Sequence, residues 1–465
     1  MEEAFLPNQL MRPDPPELLN EQLRLLLVEH GEGQGLDHFK LPGITEFQDI
    51  PQDPANPING AKITLGMYLF NEPGLAVNNV RPEGFETYSC GTCHPAHAGF
   101  QSNRAQGLAE GGSGFGVGGE GRSQLPAYDS SPDEPDVTPI RVPAALNMAY
   151  QNVAMWNGAL GGVGVNIGTE SQWPGTPSEA NSLGLHGLET QAFVGLEAHR
   201  LLDVGTSQVA SNPLYQIFYQ NAFPGQPIDR YNTALAIAAY ERVVTTDEAP
   251  FQQWLRGRKN AMTDQQKRGA ILFFGVARCV DCHTGPALNS VTFHALGMND
   301  LDGSYDPANV DLTRFGGTVP ANFRLGRGGF TGLASEDYQF KTPQLYNLKD
   351  SPFYGHGASF QTVREVIAYK NKAIRENLLV PKAKLAPKFI PRGLTPSQID
   401  ELDAFVSDAL YDANLMRHFP TFVPTGLCFP SNDAQSRIDL GCETTAARPS
   451  VFGRPSDTWR WLRRK

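Results

Sequence analysis

The pentapeptide Cys-x-x-Cys-His occurs twice in this chain, as Cys90-Gly91-Thr92-Cys93-His94 and as Cys279-Val280-Asp281-Cys282-His283. The chain has only six cysteines, so these two copies hold most of them. Each copy presents two thiols three positions apart and an imidazole directly after. Covalent haem uses this arrangement: the thiols add across the two porphyrin vinyl groups, and the histidine becomes the proximal iron ligand. Half of a zinc site and a redox dithiol are the other readings of a single copy. Zinc needs four ligands converging on one ion, usually from knuckles a few tens of residues apart. Here the pairs are 189 positions apart (279 minus 90), and each carries its own histidine. The repetition favours two c-type haems.

Length and charge narrow the class. At 465 residues the chain can hold two or three domains. A net charge of −11 argues against a nucleic-acid binder and would suit a basic redox partner. No stretch approaches the ~18–20 apolar residues of a membrane span. The opening "MEEAFLPNQLMRP" lacks a positive segment followed by an apolar one. Covalent haem attachment is done outside the bacterial cytoplasm. A leader absent from this numbering, and a periplasmic or otherwise exported protein, are therefore expected. An oxidising compartment allows a disulfide between Cys428 and Cys442, which would staple a tail with few helix formers; two free thiols are the alternative.

Glycine and proline total 83 residues (47 plus 36). That predicts helices separated by long loops, with haem replacing part of the core. The 26 Phe and 14 Tyr are enough to pack such a chain, so disorder is not implied. Gly66-Met67-Tyr68-Leu69-Phe70 precedes the first haem motif, and Gly269-Ala270-Ile271-Leu272-Phe273 precedes the second. Both read G-x-x-L-F near the end of a helical stretch. The fold class expected is mainly α, two cytochrome-c-like haem domains with long loops and little β.

Helix signals agree. Thr395-Pro396-Ser397-Gln398 is an N-cap, a first-turn proline and a capping-box glutamine. Ile399, Leu402, Val406 and Leu410 then recur on one face. Thr263-Asp264 opens the helix leading to the second motif, and Asn232 is the expected cap of "TALAIAAYERVV". The divisions expected are an N-terminal extension 1–44, a first haem domain 45–247, a second 248–420 and a tail 421–465. Gly114, Gly116 and Gly119 spell G-x-G-x-x-G. A dinucleotide fingerprint needs a strand before and a helix after, and neither is evident. A flexible loop over or beside the first haem is the better reading.

The ordered segments "LGMYLF", "VPAALNMAYQNVAMWNGAL", "GLETQAFVGLEAHRL", "CHTGPALNSVTFHALGM" and "KTPQLYNLKDSPFYGHGASFQTVREVI" resemble those of the bacterial dihaem cytochrome c peroxidases, the family that includes MauG. The resemblance covers about residues 45–420. It implies that the first haem meets hydrogen peroxide and that the second receives electrons from a small cytochrome c or copper protein. A tryptophan, Trp156 by position, would carry electrons between them.

Gln191 matches the family's distal glutamine. The family's proline four positions on and glutamate ten positions on are Gly195 and Leu201 here. Leucine cannot move a proton, so Asp203, after a two-residue shift, or else Glu197 or His199, would have to serve. His356 matches a histidine near the second haem. Fourteen residues after it, where the family carries methionine or tyrosine as sixth ligand, stands Lys370, with Tyr369 before it; Met298 is a further candidate. Glu110, sixteen residues after His94, stands where some relatives keep a removable ligand, which hints at a permanently open first haem. The resemblance also implies an interdomain calcium ion held partly by the carbonyls of Ser351 and Phe353, and often a homodimer. Three functions follow: a peroxidase fed by a small redox protein, a MauG-like oxidation of a residue on a partner protein, or a dihaem electron carrier without catalysis.

Overall fold

Two glycines set the architecture. The computed structural model describes residues 15–128, 135–202, 204–306 and 310–442. Its principal helices are α1 (Pro16–His30), α2 (Gly60–Phe70), α3 (Gly187–Ala198), α4 (Arg230–Val243), α5 (Asp264–Phe274), α6 (Val363–Lys372) and α7 (Pro396–Asp403). Helices α2 and α4 cross at Gly66, where a β-carbon would collide with the Ala236 carbonyl and lie 2.9 Å from Tyr240 Cβ. Helices α5 and α7 cross at Gly269, where it would collide with the Glu401 carbonyl and lie 2.8 Å from Phe405 Cβ. Both are the first residue of G-x-x-L-F. A missing side chain lets each helix pair close to backbone contact.

The echo continues beyond the helices. Asn147 and Asn347 both adopt the left-handed conformation, at φ 57° and 53°. The isolated bridges Ala154–Leu160 and Tyr354–Phe360 differ by 200 in each number. Positive φ recurs at Met155 and Gly355, and again at Gly158 and Ala358. Trp156 and His356 are therefore the same position in the two halves.

One continuous hydrophobic core runs through both halves. Helix α1 joins the second: it packs on α5, His30 donates to the Phe274 carbonyl at 2.9 Å, and the Trp254 indole donates to Asn20 at 2.8 Å. Among the described residues the strands form two short antiparallel pairs, Gly112–Ser113 with Ser123–Gln124 and Phe293–His294 with Phe340–Lys341, besides isolated bridges. The capping box at Thr395 forms as the sequence indicates, and the helix opened at Thr263 has one as well, with Gln266. Helix α4 starts earlier than expected. Asp229 is its cap, accepting from Asn232 N at 2.9 Å, and Asn232 lies within the first turn.

The tail folds back on the first half, with Cys428 bonded to Cys442 at a Cα separation of 5.9 Å. Asp433 accepts from Gly114 N, and Asp439 from Phe115 N and Gly116 N, at 2.8–2.9 Å. Ser89 and Thr92 hydroxyls donate to the Pro430 carbonyl. The glycine-rich loop thus lies beside the first Cys-x-x-Cys turn. It is strapped by the tail, and Gly114, Gly116 and Gly119 supply positive φ.

Candidate functional site

Each Cys-x-x-Cys-His turn opens onto its own cavity. The first, about 140 Å³, is lined by Cys90, Cys93 and His94. The second, about 300 Å³, is lined by Cys279, Cys282 and His283. The four thiols therefore do not converge on one ion. Burial pushes the Cys90 thiol up to about 12 and the Cys279 thiol up to about 11, opposite to the low pKa of a redox dithiol.

The two histidines are prepared alike. His94 Nδ1 donates to the Phe100 carbonyl at 3.1 Å, and His283 Nδ1 to the Leu288 carbonyl at 2.7 Å. A carbonyl can only accept, so the proton sits on Nδ1 and Nε2 keeps its lone pair. Desolvation lowers His94 to about 4 and His283 to about 3, so both rings are neutral at pH 7. The last residue of each G-x-x-L-F buttresses the ring: Phe70–His94 at 6.3 Å and 53°, Phe273–His283 at 6.2 Å and 54°.

Arg141 lines both cavities. Its Nη2 donates to Gln101 and Ser351, both at 2.9 Å, while its Nε is buried without a partner. A buried cation with a spare donor between two cavities suits the carboxylates of a porphyrin. Paired thiols, a neutral Nε2 and this donor fit haem c in both places.

The distal wall of the first cavity is α3. Gln191, Gly195 and His199 recur every four residues and all line it, as do Leu196 and the buried Leu201. His199 Nδ1 is 2.8 Å from Asp136 Oδ2, and Asp136 lines the same cavity. Burial alone would lower the His199 pKa, but the charge and hydrogen bond of Asp136 outweigh it, and the pKa is raised. Glu197 lies off this face. It pairs with Arg230 at 2.8 Å with 62% of its side chain exposed, because it is two residues, or ~200°, around the helix from Gly195. Asp203 lies outside the described residues. Glu110 is buried and locked by Arg200, by the Tyr128 hydroxyl at 2.9 Å and by Arg81 N at 3.0 Å.

The wall between the cavities includes Pro143, Ala144, Met148 and Met155, which line both. Trp156 follows Met155 and lines the second cavity. Its indole donates to the Arg141 carbonyl at 2.8 Å and meets the His356 ring edge-on at 6.4 Å. His356 stacks on Phe340 at 3.7 Å and 14°, with Nε2 3.4 Å from Asp300.

Met298 and Lys370 also line the second cavity. Tyr369 does not, and this corrects the expectation that it faces the iron. Its hydroxyl donates to the Leu296 carbonyl at 2.6 Å, and its ring packs between Phe360 and Phe389. One step along a helix turns the side chain by ~100°, and α6 gives that step to Lys370.

Sequence reasoning missed Asp136, Arg141 and Glu241. Glu241 lines the first cavity, is 4% exposed, and has Oε2 without a partner. Each comes from a segment remote from the haem motifs, and a lone charged residue gives no pattern to find.

Comparison with known proteins agrees with this geometry. Residues 60–260 match the family model for di-haem cytochrome c peroxidase. The chain is 26% identical over 327 residues to methylamine utilization protein MauG of Methylorubrum extorquens, covering 69% of this chain and 71% of that one. It is 26% identical to cytochrome-c peroxidase IdrP1 of a Pseudomonas species, covering 82% and 89%. It is 24% identical to cytochrome c551 peroxidase of Pseudomonas aeruginosa, covering 72% and 80%. A crystal structure of a MauG-like protein associated with microbial copper homeostasis shares the fold, with TM-score 0.54 and 23% identity over 81% of this chain and 95% of that one.

Proposed function

We propose that this chain, a member of the di-haem cytochrome c peroxidase family, is an exported peroxidase that reduces hydrogen peroxide to water at the first cavity. Electrons enter one at a time at the second cavity from a small redox protein. Two electrons and two protons convert one peroxide to two waters. Haem c held by each Cys-x-x-Cys-His would supply the redox-active iron.

The observation that carries the reading is the His199–Asp136 pair on the distal wall, beside Gln191. Asp136 holds Nδ1–H, so Nε2 of neutral His199 is free to take a proton from incoming peroxide. The imidazolium can return that proton to the departing oxygen. Gln191 offers an amide for orienting the peroxide. Leu201 keeps the pocket dry and leaves the proton work to His199. Asp203 and Glu197 are not needed for it. Trp156, at the foot of the dividing wall, offers an aromatic step between the cavities.

The carrier reading rested on Leu201 leaving no distal base, and His199 supplies one. The partner-oxidising reading drew on a tyrosine ligand at the second haem, and Tyr369 is turned away from that cavity.

A pH profile tests this. His199 must be neutral to act as base, so kcat/KM should rise with pH through its raised pKa. His199→Ala should lower kcat/KM for peroxide by about 100- to 1,000-fold. Asp136→Asn should move the acid limb to lower pH and lower its plateau. A profile identical in His199→Ala would sink the assignment.

A further inference from the structure

We propose that the segment 370–392 is the docking face for an acidic redox protein that delivers electrons to the second cavity. This rests on the peroxidase reading for the direction of electron flow, and specifies its partner by charge. Between Lys370 and Arg392 stand seven basic residues, Lys370, Lys372, Arg375, Lys382, Lys384, Lys388 and Arg392, and one acid, Glu376. Lys370 and Arg392 line the second cavity and Lys384 lies 3.6 Å from Asp337, so the outward positive charge rests on Lys372, Lys382 and Lys388, in a chain whose total is −11. A whole-chain charge that would suit a basic partner is reversed here.

The same segment is the shell of the second cavity. Asn371, Asn377, Val380, Ala386 and Phe389 face inward and line it. Backbone bonds lay the segment over 295–297: Glu376 N and Asn377 N donate to the Gly297 carbonyl and Ala386 N to Ala295, each at 2.9 Å. Between the inward residues the side chains point out. Leu378 is 78% exposed, Ile374 69% and Leu379 67%, and Leu378 is the most exposed large apolar side chain among the described residues. Ile390 follows at 51%, and Arg392 N donates to the Asn371 carbonyl at 3.1 Å, which brings the two ends of the segment together. Lys372, Lys382 and Lys388 are exposed around these residues.

An apolar centre rimmed by one sign of charge is the form of a transient interface. The charge steers encounter, and the apolar patch excludes water once contact is made. A single layer of chain separates that patch from the cavity. Docking there brings the partner's redox group within one residue's thickness of the cavity wall. The partner is oxidised by one electron, the group held by Cys279, Cys282 and His283 is reduced by one, and no bond is made or broken.

The test is stopped-flow reduction of the ferric holoprotein without peroxide, so that it succeeds or fails independently of peroxidase activity. The probes are a reduced acidic plastocyanin and a reduced basic cytochrome c. With plastocyanin the second-order rate constant should fall about tenfold or more between low and physiological salt. The surface double variant Lys372→Glu/Lys382→Glu should lower it about tenfold at low salt, and Leu378→Ser/Leu379→Ser should lower it without changing the salt dependence. Basic cytochrome c should react more slowly and gain from added salt. The proposal is overturned if basic cytochrome c reacts faster at low salt, or if neither double variant alters the plastocyanin rate. It is also overturned if the Leu378→Ser/Leu379→Ser change dissociates a dimer in sedimentation, since the patch would then belong to a second copy.

Discussion

The two halves hold their proximal histidines in nearly the same way and differ across the cavity. Phe70–His94 and Phe273–His283 agree within 0.1 Å and 1° (6.3 against 6.2 Å, 53° against 54°). The fifth residue of the distal helix is Gln191 in α3 but Ile367 in α6. At the wall between the cavities, Trp156 in the first half corresponds to His356 in the second. A duplicated scaffold has kept what attaches a haem and changed what surrounds its far side. The polar distal face of α3 suits proton chemistry. The apolar, lysine-bearing face of α6 suits a site that passes electrons.

The comparison can be broken most severely at the helix crossings. If the halves are equivalent frameworks, Gly66→Ala and Gly269→Ala should each cost about 3 kcal/mol or more, because the added methyl meets a carbonyl and neither helix can yield without losing its core face. Thermal unfolding of the two holoproteins measures this. Near-equal losses support duplication. A large loss at one site and none at the other would show that only one crossing sustains the fold.

The sixth ligand sharpens the difference between cavities. Electron paramagnetic resonance of the ferric protein should show a low-spin signal from the second haem. Tyr369→Phe should leave it intact, since that hydroxyl is bonded to Leu296. Either Met298→Ala or Lys370→Ala should convert it to high spin. The signal of the first haem should be unchanged in all three, because none of these side chains lines its cavity. Loss of the second signal in Tyr369→Phe would return the tyrosine to the iron.

Much of this was legible in the residues. The two Cys-x-x-Cys-His motifs place both cavities, and G-x-x-L-F marks the glycine of each crossing and the phenylalanine behind each histidine. Thr263 and Thr395 give two helix starts because capping is local chemistry. What could not be read depends on long-range approach. Asp136 reaches His199 across 63 positions, and Arg141 becomes a shared wall only when both halves have folded. Tyr369 against Lys370 turns on helical phase, which one residue reverses. The 200-position correspondence was hidden because it lies in backbone conformation: Met155 and Gly355 share a positive φ without sharing a side chain.

The smallest expected effect concerns Glu241, which lines the first cavity: α4 carries Glu241 one residue after Tyr240, where the second half has Val406 after Phe405, just beyond α7. Burial raises its pKa to about 8, with Glu189 adding to the rise and Arg242 opposing it. The folded protein therefore keeps this proton up to about 8, while the unfolded chain releases it near the ordinary 4.5. Between those values the unfolded state binds fewer protons. Stability from this group is fully present below 4.5 and is lost as pH rises to about 8. Glu241→Gln removes the ionisation and keeps the shape. Relative to the parent it should gain about 2 kcal/mol on going from pH 5 to pH 8, less than the whole shift would give because a charged carboxylate draws in water and neighbouring donors. Denaturant midpoints of both proteins at the two pH values measure the difference. A parallel shift at both would mean that Glu241 is already ionised in the fold, paired within the first cavity by a group of its own, and that this cavity is more polar than its counterpart on the proximal side as well as the distal.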